Sequence, residues 1–270
     1  MLLPDQNLKD NLPFLVEIIF GLVGLEMSAM HADQVANPKK SYPLAIFWSV
    51  IIIFISLTCS SLSIALIIPK QELSLMTGIS QAMYLLLHKT QMDFLYPTMI
   101  VLIILSSIGS ISAWIIGPTK GLLIAAEDGI APRYFTKLNK KEVPTRILVL
   151  QAILVTVLAG FYIWMPDLES AYIMLTVMTT QLSLIVYIGL FLAAWKLRHN
   201  FPKLNLPCKN RGILICCIIG TITCIAVIII GFLPPKELIS SAGSKQYICT
   251  LALGMLILCL PPIIICKKKD

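Results

Sequence analysis

Seven apolar runs of roughly membrane-spanning length recur along this chain, and no other feature restricts its fold so severely. They are Phe14–Val35, Leu44–Ile68, Phe94–Ile116, Ile147–Met165, Ala171–Trp195, Gly212–Leu233 and Tyr247–Cys266. In hydrocarbon, every backbone N–H and C=O must find its partner within the protein, so such runs are predicted to be α-helices. Composition agrees: 13% of the 270 residues are charged, against about 25% in soluble domains. The expected fold class is all-α integral membrane, with about seven transmembrane helices.

Loop charges give an independent check on that count. Alternate loops carry Lys39 and Lys40; Lys120, Arg133, Lys137, Lys140, Lys141 and Arg146; Lys196, Arg198, Lys203, Lys209 and Arg211; then Lys267, Lys268 and Lys269. The opposite set carries only Lys9, Lys70, Lys89, Lys236 and Lys245. Basic loops stay cytoplasmic, which predicts an external N-terminal segment over 1–13 and a cytoplasmic tail over 267–270. The net charge of +7 is accounted for by these loops. It forms no basic groove interleaved with aromatics, so nucleic acid is not an expected partner.

The first run differs from the other six. Gly21 and Gly24 interrupt it and Glu26 follows at once. A carboxylate near the bilayer centre costs about 3 kcal/mol on insertion scales, so it normally faces a cavity and has a task there. Glycines beside it predict a helix broken near Gly24, where freed backbone groups can bind a polar substrate. Glu26 could instead pair with a neighbouring hydroxyl or thiol and merely lock the bundle.

The remaining features are less specific. Residues Gln71–Leu87 read as an interfacial amphipathic helix. The third run holds a small-residue segment, Ser106–Ala113, ending at Trp114, suited to close packing or to lining a polar path. Gly117-Pro118 is expected to end that span, with short helices over Thr119–Glu127 and Pro132–Leu138 beyond it. The fifth run opens with Thr176, Thr179, Thr180 and Ser183, whereas the sixth and seventh read as structural.

Seven of the eight cysteines lie within apolar runs and Cys208 in a basic loop, where they act as small hydrophobes rather than a disulfide framework. No Cys/His spacing suits a metal, and His31, His88 and His199 form no constellation with a nucleophile. The chain is therefore expected to be no enzyme and to need no cofactor. A seven-span receptor would be expected to carry external cysteines and no glycine-broken helix with a lone Glu. Transport, or a non-catalytic membrane scaffold, remains.

Four ordered motifs narrow the choice: Gly24-Leu25-Glu26-x-Ser28-Ala29 through His31 to Asn37-Pro38-x-x-x-Tyr42-Pro43; Trp114-Ile115-Ile116-Gly117-Pro118-x-Lys120-Gly121; Lys137-Leu138-Asn139-Lys140; and Val143-Pro144. Together they resemble the amino acid–polyamine–organocation superfamily, and within it most closely the bacterial glutamate/GABA antiporters. The resemblance runs from about residue 14 to about residue 235.

It implies a LeuT-like fold of two inverted five-span repeats plus two further spans. This chain would correspond to the sixth to twelfth spans. Residues 14–166 would form the start of the second repeat (broken helix, two spans, a cytoplasmic loop over 117–146 and the fourth span), and 167–266 three C-terminal spans. It further implies amino acid transport across the inner membrane by a truncated or split permease, with a separate chain supplying the first five spans as one arrangement. A transport-inactive remnant or accessory scaffold is the alternative.

Carried over residue by residue, the resemblance makes Gly24 and Glu26 substrate-facing and puts Trp114 near the substrate path, although Trp114 also reads as an interfacial anchor. Ser110 stands where the antiporters have a glutamate, and Thr179 and Ser183 where they have tyrosines, implying a roomier, less acidic pocket. His31, Asp33 and Asn37 would contribute to a cytoplasmic gate.

Overall fold

The computed structural model describes residues 12–68, 77–164, 167–200, 210–235 and 243–266. Among them all regular structure is helical. In chain order the helices are α1 (Phe14–Phe20), a 3-10 segment (Leu25–Gln34), α2 (Pro38–Ile67), α3 (Gly78–Lys89), α4 (Tyr96–Glu127), α5 (Thr145–Ala159), α6 (Phe161–Trp164), α7 (Leu168–Asn200), α8 (Asn210–Gly231) and α9 (Ser244–Cys266). Short 3-10 turns occupy Asp93–Leu95 and Arg133–Thr136.

Five of these helices are long and apolar enough to cross a membrane: α2, α4 with the turn before it, α7, α8 and α9. The other two predicted spans differ from a plain crossing helix. The first is interrupted, as the glycines require. The fourth is α5, of 15 residues, followed after Gly160 by the four-residue α6. Residues 1–11, 69–76, 165–166, 201–209, 236–242 and 267–270 lie outside the described residues.

The chain divides into two compact units. One comprises residues 1–25, 35–43 and 157–270. Here α7 packs against α8, α9 and α1. Its core is Val16 from α1; Ile173, Met174, Val177, Met178 and Leu184 from α7; Cys224 and Val227 from α8; and Tyr247 and Leu251 from α9. The buried α7 residues recur at three- and four-residue steps, the spacing that keeps side chains on one helical face.

The other unit comprises residues 26–34 and 44–156. Here α3 packs on α4, and α4 meets the Arg133–Thr136 turn. Little of its apolar surface is covered: α2 has no buried residue, and α4 buries only Gly117, Thr119 and Ala126.

Two predicted boundaries are corrected. Pro43 lies inside α2, which begins at Pro38; a proline suits a first helical position, and the interior one forfeits a single hydrogen bond. More consequentially, α4 runs straight through Gly117-Pro118 to Glu127, absorbing the expected separate helix over Thr119–Glu127. Pro118 has no N–H to offer the carbonyl of Trp114 four residues earlier. Gln151 of α5 supplies the missing donor, its Nε2 lying 3.3 Å from that carbonyl oxygen. Beside it, the Thr119 hydroxyl stands 2.7 Å from the Ile115 carbonyl and 3.0 Å from Gln151 Oε1. A neighbouring side chain thus replaces the lost backbone bond, and the helix continues. Asp128-Gly129 does end it, Gly129 adopting φ +72°.

Candidate functional site

The break after α1 is built by its glycines. The amide of Gly21 closes α1 on the Glu17 carbonyl, and the next two amides make turn-type bonds, Leu22 to Ile19 and Val23 to Phe20. Gly24 then takes φ +108°, a conformation available to glycine at little cost and strained for other residues. Helical hydrogen bonding is interrupted there. The Gly24 amide donates instead to the Tyr187 hydroxyl of α7 at 3.4 Å, a long bond. A backbone amide and a phenol hydroxyl therefore meet at the interruption.

Beyond Gly24 the chain resumes as ten residues of 3-10 helix, with Glu26 in its first turn and half-buried. Runs of this type seldom exceed four residues, so tertiary contacts must hold this one. Those contacts are visible at Met27 and Met30. A Cβ added to Gly117 would stand 2.8 Å from Met27 Sδ, and one added to Gly121 would stand 3.2 Å from Met30 Cε. The residue next to Glu26 therefore packs on α4 three positions beyond Trp114.

The predicted site residues fall in two groups. Gly24, Thr179 and Ser183 belong to the unit built on α7; Glu26, Ser110 and Trp114 belong to the unit containing α4. Within the first group, Thr179 and Ser183 lie two turns and one turn before Tyr187 on α7, so the break is joined to the α7 face that carries the predicted pair. The Ser183 hydroxyl donates to the Thr179 carbonyl at 2.9 Å, the backbone bond such hydroxyls commonly make. Within the second, Ser110 and Trp114 are one turn apart on α4 and both exposed.

Of the predicted gate residues, His31 and Asp33 have backbone in the 3-10 segment, and their side chains are outside what the structure describes. Asn37 precedes α2 and is exposed, its carbonyl accepting the amides of Lys40 at 3.2 Å and Ser41 at 2.9 Å. Among the described residues no group of three or more His, Cys, Asp or Glu side chains is disposed to hold a metal.

Three polar residues were passed over in the sequence. Gln151 is the donor that carries α4 past Pro118, and an interior proline is itself the signal that some neighbour must supply one. Tyr187 continues the four-residue spacing of Thr179 and Ser183. Gln181 is fully buried, its Nε2 donating to the Ile228 carbonyl at 3.2 Å. Its Oε1 is buried and finds no partner among the described residues. The amide lies hard against Gly231, where a Cβ would overlap it. The Gly231 carbonyl in turn accepts the buried Tyr247 hydroxyl at 2.7 Å. The last two spans, which read as purely structural, therefore share a polar knot with α7.

Long apolar helices and an interrupted one define a multi-pass helical membrane protein. It belongs to the amino acid permease family, whose sequence profile matches residues 10–258. An uncharacterized transporter of Legionella pneumophila is 38% identical over 99% of this chain and 58% of its own length. A glutamate/gamma-aminobutyrate antiporter of Lactococcus lactis is 28% identical over 99% of the chain and 54% of its own length. A probable agmatine/putrescine antiporter of the same species is 27% identical over 78% of the chain and 45% of its own length. The chain thus spans about half the length of the curated relatives it matches.

Proposed function

We infer that this chain is the substrate-site half of an amino acid permease, of glutamate/GABA antiporter type, in the inner membrane. The observation that carries the reading is the break itself. Helix α1 ends, Gly24 turns the chain at φ +108°, and Glu26 follows within two residues. A broken helix offers backbone N–H and C=O groups to the carboxylate and ammonium of an amino acid, and a carboxylate kept in an apolar segment favours the ammonium.

Gly24 and Glu26 are the proposed substrate-facing residues at the break, and the resemblance adds Trp114 and Ser110 of α4 and Thr179 and Ser183 of α7 as candidates, each within its own unit. The antiporters' second glutamate and two tyrosines are replaced here by Ser110, Thr179 and Ser183. The proposed pocket is therefore less acidic than a glutamate/GABA site and admits other small amino acids. His31, Asp33 and Asn37 are proposed for the cytoplasmic gate, with the N-terminus outside and the C-terminus cytoplasmic, as the loop charges require. The family's first repeat would contribute the rest of the site, and rocking of the two repeats about it would give alternating access.

Reconstituted protein should exchange a labelled external amino acid for an unlabelled internal one, and Glu26→Gln should reduce that exchange to background. Absence of exchange from folded wild-type protein would sink the claim that this chain transports by itself. The bare flanks of α2 and α4 would then favour its other reading, an accessory membrane scaffold. Glutamate, GABA and neutral amino acids tested side by side resolve the substrate class.

A further inference from the structure

The segment after the break has a seat of its own. In a 3-10 helix, residues three apart eclipse one another, so Met27 and Met30 project along one line. In an α-helix, residues four apart share a face, so Gly117 and Gly121 open two adjacent gaps on α4. The spacings match. Met27 packs its Sδ where a Gly117 side chain would be, and the Met30 methyl does the same at Gly121. Gly117 is buried by this contact, whereas Gly109, two turns earlier on the same helix, has nothing within 4 Å of its added Cβ. The notch lies beside Pro118, and the bond from Gln151 to the Trp114 carbonyl holds that part of α4 in helical form.

We propose that Met27 and Met30 are positioning residues for Glu26, seating the segment after the break in the notch formed by Gly117 and Gly121. Methionine suits the role, because an unbranched, polarizable side chain fills a gap while allowing the segment to settle again after movement. The role as positioning residues rests on the reading of Glu26 as substrate-facing; the seat itself does not.

The geometry allows a direct test. Met27 Cβ lies 3.6 Å from a Cβ built on Gly117, inside the range of about 3.5–4.5 Å that a disulfide spans. A Met27→Cys/Gly117→Cys pair, placed in the full chain with its eight native cysteines replaced, should cross-link in membranes under mild oxidation. Should the cysteine-free chain misfold, the same pair in the native background, read by mass spectrometry of the linked peptides, serves instead. Two thiols that stay reactive to maleimide and do not link would overturn the seat.

Its effect on Glu26 is read from maleimide labelling of Glu26→Cys. Adding Gly117→Leu should change the labelling rate by about fivefold or more, as a shifted local equilibrium does. Adding Gly109→Leu should leave it unchanged. Combining Gly117→Leu with Met27→Ala moves the bulk to the other partner and should bring the rate back to within about twofold. Equal effects from both leucines, or no effect from either, would reject the positioning role. Protection of Glu26→Cys by excess amino acid, read on the same samples, separates the two claims. Its absence alongside an intact cross-link and rescue removes the substrate reading and leaves the seat.

Discussion

The unit built on α7 and the unit containing α2 and α4 both hold helices apolar enough to cross a membrane and bury them very differently. Of the most apolar stretch of α7, 28% of the residues are buried within the protein; for α2 and for α4 the figure is 0%. In α7 the covered face meets α1, α8 and α9 around Met174 and Leu251. On α2, Phe47, Trp48, Ile52 and Phe54 are all exposed. Hydrocarbon is as apolar as leucine, so exposure of such side chains carries no penalty in lipid. The difference therefore marks where helices pack against this chain's own residues. The flanks of α2 and α4 are left for lipid or for other protein surfaces, whereas the α7 unit has an interior of its own.

That contrast can be broken most sharply by cutting into both sides. Met174→Ala or Leu251→Ala should lower the unfolding free energy by about 2–5 kcal/mol, the usual range for a buried large-to-small change. Ile52→Ala on α2 and Ile108→Ala on α4 should each cost well under about 1 kcal/mol, as exposed positions do. Graded SDS denaturation in mixed micelles measures both. Equal losses at the two kinds of site would show that α2 and α4 are packed after all.

A finer test addresses the polar bonds on each side. Tyr247→Phe strands the Gly231 carbonyl in the α7 unit, at an expected cost of about 1–2 kcal/mol. Gln151→Leu strands the Trp114 carbonyl at Pro118 and should cost about 0.6 kcal/mol, the average found between membrane helices. Its clearer signature is faster amide exchange confined to the turn around Pro118.

The smallest expected effect lies at the entrance to α7. Asp167 accepts the Ser170 amide at 2.7 Å and the Ser170 hydroxyl at 2.8 Å, and the amide bond above all holds its carboxyl below the usual aspartate value. A lowered folded pKa stabilises the protein above the unfolded pKa, and that contribution fades as pH falls through the folded value. The melting-temperature gap between wild type and Asp167→Ala should thus be full at neutral pH and shrink below about pH 4. A gap that stays constant to pH 3 would mean the cap does not depend on the ionised carboxylate.

Much of the architecture was legible because one signal, a long apolar run, has one physical solution in a membrane. The break after α1 was legible for a similar reason: Gly21, Gly24 and Glu26 each oppose a continuous apolar helix, and they stand together. Its second half was not, since nothing local to Leu25–Gln34 favours 3-10 over α; the notch on a distant helix lies along it. The same holds for Gly117-Pro118. Local rules end a helix there, and Gln151, thirty-three residues beyond Pro118, overrules them. Gln181 was hidden among threonines and serines of similar polarity, and only packing shows its amide sealed against Ile228 and Gly231 of α8. Thr179 and Ser183 were identified through the resemblance, yet the Ser183 hydroxyl is committed to its own backbone.

What the amino acids determined alone is the class of solution: an all-α membrane protein, its first span interrupted at a glycine pair beside a carboxylate, with most of its basic residues in alternate loops. Backbone desolvation and charge burial set those outcomes residue by residue, whatever the helices later touch. What only the tertiary structure decided is which faces close on one another, where α4 survives its proline, and how the segment carrying Glu26 is seated. In a chain apolar on every side, hydropathy no longer says which way a helix faces. That choice passes to shape and to hydrogen bonds between helices, to glycines that leave room and amides that reach across.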